Sequence, residues 1–260
     1  MNRRNARAPA GPPTVAPGLW HRERARGPEY FTRALGTTPS LRGEPLVEVE
    51  GRPFRRFEPT RSKVAAALVL GWDGPIPGNG EAWLYLGAAA GTTASHVADL
   101  VGATAPVYAV EPSVRPFLQL LAIAETYPNL LPILGDARRP ESYGGTVPLV
   151  DGIYCDVAQP DQPEIVAANA AAFLRPGGRV LFVVKTASLG REPNAAAGLR
   201  QALDRLPDSL RPVASRSLEP FHRRHYLVAA EHAGTSSSVP PPPPRPAGGR
   251  IRPRSVRPGR

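Results

Sequence analysis

From Trp83 onward the chain alternates short apolar runs with helix-patterned ones, and this alternation constrains the fold more than any other feature. WLYLGA, PVYAVE, LLPILG, VDGIYCDVA and RVLFVVK read as strands; TASHVADLV, VRPFLQLLAIAETY and QPEIVAANAAAFL read as helices. Such regular alternation predicts an α/β domain built on a mostly parallel sheet with helices on both faces. After the helical stretch AAAGLRQALDRL, the segments VASRSLEP and HYLVAAEH lie close together and can close the sheet as a C-terminal hairpin.

Upstream the pattern is different. Between about residues 30 and 58, LVEVEG and RPFRRFEP alternate and turn like a small antiparallel sheet, and structure is expected to begin near Leu19 and Trp20. RSKVAAALVLG then reads as a helix, with Thr60 or Ser62 near its start and Gly71 beyond its end. Lys63 falls in its first turn, where the helix dipole disfavours a positive charge. The expected division is a disordered basic segment over 1–18, a small β region over 19–58, an α/β domain over 59–233 and a disordered tail over 234–260. The tail, TSSSVPPPPPRPAGGRIRPRSVRPGR, is too poor in apolar residues to offset the entropy of ordering it.

Charge has to be read against this division. The formal net charge is +10, but residues 1–28 hold six arginines and one acid, and residues 234–260 hold six arginines and no acid. Residues 29–233 therefore carry −1. Basic tails of this kind attract polyanions such as RNA through salt-sensitive contacts that are blind to sequence, or serve solubility alone. A single cysteine, Cys155, excludes an intrachain disulfide and sits in a strand pattern that predicts burial. No apolar run approaches the length of a membrane span and no apolar signal core opens the chain, so a soluble, cytoplasmic protein without membrane attachment is expected.

Of the 32 basic residues only Lys63 and Lys185 are lysine. Arginine keeps its proton at any physiological pH, whereas a lysine beside another cation or out of water releases it readily, so lysine alone can act as a base. In an open α/β sheet the ligand lies outside the carboxyl ends of the strands, so strand-ending residues are the candidate site. The first strand ends in LGAAAGTT, where Gly87 and Gly91 let the backbone approach a ligand closely and Thr92 and Thr93 open a helix whose free N–H groups can hold an anion. This is not the GxGxxG of a nicotinamide site. The second strand ends in Glu111, 24 residues beyond Gly87, the place of an acid that accepts the two ribose hydroxyls of a nucleoside cofactor. The third leads to Asp136, a candidate acceptor for an adenine amine or a helix cap; the fourth to Asp156 and Gln159; the fifth to Lys185.

The chain resembles the fibrillarin family in its short archaeal form. The resemblance runs from about Leu19 to His232 and rests on RSKVAAALVLG, YLGAAAGTTASHVADLVG, VYAVEPS, LPILGDARRPESY, DGIYCDVAQPDQPEIVAANAAAFLRPGGRVLFVVK and LEPFHRRHYLV. It implies a class I, Rossmann-like methyltransferase fold and a lysine, aspartate, lysine and histidine tetrad on Lys63, Asp156, Lys185 and His225. It further implies S-adenosylmethionine as cofactor, with contacts on Gly87, Thr92, Thr93, Glu111, Pro112, Asp136, Ala137, Asp156 and Gln159. Relatives typically carry an aromatic where Pro112 stands, which removes a stacking contact with adenine. His96 also recurs in the family, and a histidine on a helix face is more often structural than catalytic.

The implied activity is 2′-O-methylation of ribose in rRNA and tRNA, without a metal. A box C/D guide RNA, a Nop5-like scaffold and an L7Ae-like RNA-binding protein are the implied partners, since a near-neutral core does not grip RNA by its own charge. Lys185 is the expected base, Lys63 the electrostatic aid, Asp156 the group that orients both, and His225 completes the network. Two other readings are a nucleotide-dependent oxidoreductase, which the missing GxGxxG and the lysine pair disfavour, and a non-catalytic ribonucleoprotein subunit, which the intact tetrad disfavours.

Overall fold

The structure, a computed structural model, describes residues 17–25, 27–37, 40–188 and 194–233. The disorder expected for 1–18 and 234–260 therefore falls, Pro17 and Gly18 apart, outside the described residues. Strands β1 (Leu19–Arg22), β2 (Glu29–Arg33), β3 (Leu46–Val49) and β4 (Arg52–Arg56) form an antiparallel sheet in the order β1-β2-β4-β3. Glu50 and Gly51, at φ 50° and 73°, join β3 to β4 as the two-residue turn whose twist matches that of its flanking strands. Trp20, Phe31 and Phe54 give this sheet a small core of its own.

Helix α1 (Lys63–Val69) leads into the second sheet. There follow β5 (Trp83–Leu86), α2 (Thr92–Val101), β6 (Val107–Glu111), α3 (Val114–Ala124) and β7 (Leu130–Leu134). Next come β8 (Val150–Cys155), α4 (Gln162–Phe173), β9 (Leu174–Lys185), α5 (Ala195–Asp204), β10 (Leu210–Ser217) and β11 (His225–His232). The order is β10-β11-β9-β8-β5-β6-β7, parallel from β9 to β7, with the C-terminal hairpin antiparallel at one edge. Alternate strand residues face opposite layers: Tyr85, Tyr154, Leu181 and Val183 pack with α1, α2 and α3, while Leu86, Cys155, Phe182 and Val184 pack with α4 and α5. At Gly152 a Cβ would stand 2.4 Å from the Trp83 indole, so the close packing of β8 on β5 requires glycine there.

Strand β9 is longer than the run RVLFVVK predicts. The chain leaves α4 directly into a Val150–Leu174 pairing, and the RPGG segment forms an irregularity before regular register resumes at Gly152–Arg179. Among the described residues no helix is long and apolar enough to cross a membrane.

What ties the two sheets together is charged and buried. Arg55, on β4 and 1% exposed, donates from Nε to Asp99 Oδ2 at 2.7 Å, from Nη1 to Glu44 Oε1 at 3.1 Å and from Nη2 to Ser95 Oγ at 2.9 Å. Thr32 on β2 donates to the same Asp99 oxygen at 2.7 Å, and His96 stacks on Phe57 at 4.4 Å. His96 is therefore structural, as its place on a helix face predicts, and burial beside Arg55 pushes it well toward the neutral form. Burial works most strongly against the charge on Arg55, but Asp99, Tyr127 and Glu44 together outweigh it and raise the guanidinium's hold on its proton. Removing one partner of such a pair leaves an uncompensated buried charge, which costs about 3–5 kcal/mol. Arg55→Met is accordingly expected to lower the free energy of unfolding by that amount, read from denaturant unfolding of the full chain; an unchanged unfolding curve contradicts the account.

Candidate active site

The strand order places a topological switch between β5 and β8, because the chain runs outward from β5 through β6 to β7 and then returns to the other side of β5. The carboxyl ends of β5, β6, β8 and β9 therefore converge around one opening, and each contributes the residue that follows its last apolar position. A cleft of ≈ 410 Å³ lies there, lined by Gly87, Glu111, Pro112, Asp136, Ala137, Asp156, Gln159 and Lys185 among others.

Gly87 sits at φ 78°, and a Cβ on it would come within 3.2 Å of the Asp156 carbonyl oxygen, so glycine keeps the β5 turn flush against the β8 turn. Glu111 is 6% exposed, and its two carboxylate oxygens accept from the Ala89 and Ser113 N–H groups, each at 2.9 Å. One N–H per oxygen leaves each with a lone pair for a further donor, which is what a ribose diol supplies. Asp136 Oδ1 accepts from the Arg138 N–H at 3.0 Å; it caps this turn and not a helix, and its other oxygen is not engaged by that bond. Gln159 Oε1 accepts from Arg138, whose guanidinium also binds Asp161 at 2.6 Å, linking the turns after β7 and β8 across the cleft.

Thr92 and Thr93 open α2 as their sequence position predicts, but neither lines the cleft. Thr92 faces a separate niche beside Arg42, Arg61 and Ser62, and Thr93 is buried. Gly91, left-handed at φ 82°, caps the helix.

Asp156 is the centre of the site. Lys63 Nζ lies 2.7 Å from its Oδ2 and Lys185 Nζ 3.2 Å from its Oδ1, with side-chain exposures of 20% and 18% for the lysines and 10% for the aspartate. Oδ1 is buried and makes no hydrogen bond; the Lys185 contact is an ion pair at a distance that would permit one, in the wrong orientation. Three elements that are remote in sequence meet here: the first residue of α1, the residue after β8 and the last residue of β9. A fourth arrives because β11 is antiparallel to β9, which puts its first residue, His225, directly across from Lys185. The Nδ1 of His225 lies 2.6 Å from the Arg223 carbonyl oxygen, which can only accept, so Nδ1 carries a proton and Nε2 is the free ring nitrogen. Burial, reinforced by the charges of Lys185 and Lys63, lowers the His225 pKa and favours the neutral ring.

Chemically this is a polar cleft with an engaged but unsaturated carboxylate at one end and a carboxylate shared by two amines at the other. The orphaned Asp156 oxygen, the diol-ready Glu111 and the glycine-flanked turn fit a nucleoside cofactor. No group of metal-ligating side chains occurs among the described residues. Cys155, one residue from Asp156, is buried and pushed up to about 12 by that burial, which makes it inert. Two contributors escape a reading of the sequence. Arg138 gave no signal beyond its charge, but His222 did: HRRH repeats histidine three residues before His225, and its ring centroid lies 6.0 Å from that of His225.

Comparison with known proteins places the architecture. A family model described as fibrillarin matches residues 14–234. A fibrillarin-like rRNA/tRNA 2′-O-methyltransferase of Methanopyrus kandleri is 42% identical over 202 residues, which is 74% of this chain and 83% of that protein. The solved Aeropyrum pernix fibrillarin, described with natively bound S-adenosyl-L-methionine, superposes with a TM-score of 0.73 at 36% identity over 82% of this chain and 94% of its own. Fibrillarin from a fibrillarin/Nop5p complex gives 0.74 at 34% identity, over 85% and 100%. With the sheet order, the cleft and the lysine-flanked aspartate in the same chain, these likenesses establish that the protein belongs to the fibrillarin family.

Proposed function

We propose that the protein transfers a methyl group from S-adenosylmethionine to ribose 2′-hydroxyls of rRNA and tRNA, at positions chosen by a box C/D guide RNA. The observation that carries this reading is the meeting of both lysines of the chain on one aspartate beside the cleft that Glu111 and Asp136 also line. Arginine at either place would keep the charge but never accept a proton. The bound cofactor supplies an electrophilic methyl group, so the protein's task is to align a hydroxyl and remove its proton.

In this scheme Glu111 receives the cofactor's ribose hydroxyls, Asp136 the adenine amine, and Gly87, Ala137 and Gln159 border the base and the sugar. Pro112 covers the adenine side with an aliphatic ring. Lys185 takes the 2′-hydroxyl proton, and Asp156 holds its amine toward the cleft. Lys63 keeps a positive charge beside the developing alkoxide, and neutral His225 adds a ring nitrogen without a third charge. The missing GxGxxG and the match to the fibrillarin family set the oxidoreductase reading aside.

The described residues between the basic ends carry little net charge, so target choice falls to partners: a guide RNA, a Nop5-like scaffold, as in the solved fibrillarin/Nop5p complex, and an L7Ae-like RNA-binding protein. A cytoplasmic setting without membrane attachment accords with this role. Reconstitution with guide RNA, scaffold and labelled cofactor, followed by mapping of the modified ribose, tests the function; a complex that binds cofactor and target but transfers nothing supports the non-catalytic reading instead. In the same assay Lys185→Arg is expected to fold and bind cofactor but to lose about 10² to 10⁴ in single-turnover rate, the usual worth of a general base. Lys63→Arg is expected to lose less. A wild-type rate for Lys185→Arg overturns the assignment of the base.

A further inference from the structure

His222 belongs to the turn between β10 and β11, three residues before His225, and the scheme above gives it no part. Its Nε2 lies 2.9 Å from the carbonyl oxygen of Pro59. A carbonyl can only accept, so the imidazole donates here whether it is neutral or protonated. Pro59 lies in the tight turn Glu58–Ser62, closed by hydrogen bonds from the Arg61 and Ser62 N–H groups to the Glu58 carbonyl at 3.1 and 3.0 Å. That turn ends at Ser62, the cap of α1, and Lys63 is the first residue of the helix.

Helix α1 holds Lys63 poorly by itself. It is seven residues long, its cap bond from the Ala65 N–H to Ser62 Oγ is 3.5 Å, and its first turn contains no acid to offset the lysine at the positive end of the dipole. The other end of the connection is firm: His222 N–H donates to the carbonyl of fully buried Leu218 at 2.9 Å. A single side-chain hydrogen bond thus links the segment that carries Lys63 to the segment that carries His225.

We infer that His222 is a positioning residue, whose imidazole clamps the turn before α1 and so holds Lys63 against Asp156. The inference rests on the methyltransferase reading above. The charged and titratable groups around the ring are Lys63 on α1, His225 on β11 and Asp156 after β8, with the exposed Arg223 and Arg224 on its own turn. Burial first, and then Lys63 and His225, lower its pKa against the opposing effect of the Pro59 bond, so the clamp adds no further positive charge beside Lys63. If the clamp opens, Lys63 withdraws from Asp156 and the site loses the cation beside the remaining amine.

The test compares His222→Gln, which can keep an N–H donor at about the same reach, with His222→Leu and His222→Ala, which remove it in two sizes. Each is assembled with guide RNA and scaffold, and single-turnover methyl transfer is followed against pH; cofactor affinity and thermal unfolding are measured on the same samples. The Leu and Ala variants are expected to lose on the order of 10- to 100-fold in rate, as small misplacements at a reacting centre do. Their cofactor affinity should be kept, and the pH of half-maximal rate should move. The Gln variant should recover most of the rate and the wild-type profile. A purely structural role instead lowers the amplitude at every pH without moving the profile, and overturns the inference. So does a wild-type rate in the Leu variant, or failure of both Leu and Ala variants to fold. With only two lysines in the chain, a side-chain 13C spectrum reads Lys63 without any turnover: its signal should shift in the Leu variant and return in the Gln variant. An unmoved signal overturns the clamp, whereas a wild-type complex that transfers no methyl group overturns the functional reading and leaves this spectrum to decide the clamp.

Discussion

Asp156 can hold two ammonium groups only because four pieces of chain deliver their ends to one point. A carboxylate flanked by Lys63 at 2.7 Å and Lys185 at 3.2 Å is a +1 cluster, and gathering three charged groups partly out of water is costly. The cluster is useful because its positive charge stands where the proposed transfer develops negative charge. The fold meets the cost with hydrophobic burial elsewhere, above all in the two apolar layers on either side of the central sheet, where Trp83, Tyr154 and Phe182 are fully enclosed. The site therefore depends on the sheet being rigid, and the sheet's rigidity depends on details such as Gly152 yielding space to the Trp83 ring.

The N-terminal sheet contributes in the same way, through position and not through chemistry. Arg55 and Thr32 hold Asp99 near the end of α2, Arg55 also holds Ser95, and Arg42 reaches the Ala90 carbonyl at 2.8 Å in the loop that follows β5. Helix α2 and the cofactor-side loop are thus braced from outside the α/β domain. Lys63 is braced from two sides, by the turn that follows β4 and by His222 across the opening. A binding cleft assembled from loop ends acquires fixed geometry from such supports.

Much of this was legible in the residues. Alternating runs gave the parallel sheet and its closing hairpin; Ser62 and Gly71 bracketed α1; and the strand-ending residues Gly87, Glu111, Asp136, Asp156 and Lys185 all line the cleft. Those features are local or follow from topology. What remained hidden depends on three-dimensional packing. In RPFRR the neighbours Arg55 and Arg56 fall on opposite faces of the strand, and nothing local shows that Arg55 is buried and Arg56 is not. Thr92 and Thr93 sit where a helix opens, but Thr92 faces a separate niche and Thr93 is buried. The length of β9 escaped because the RPGG irregularity looks like a loop until its partner strand is known. His222 shows only as a second histidine in HRRH; its bond to Pro59 spans 163 residues.

The account stands on one physical claim, that both lysines are held by a single carboxylate. Because they are the chain's only lysines, protein labelled with 13C at the lysine Cε gives two signals, which Lys63→Arg and Lys185→Arg assign. The spectrum of Asp156→Asn is the most direct measurement. The account predicts that both signals move when that one carboxylate is neutralised. A signal that stays in place for either lysine would contradict it.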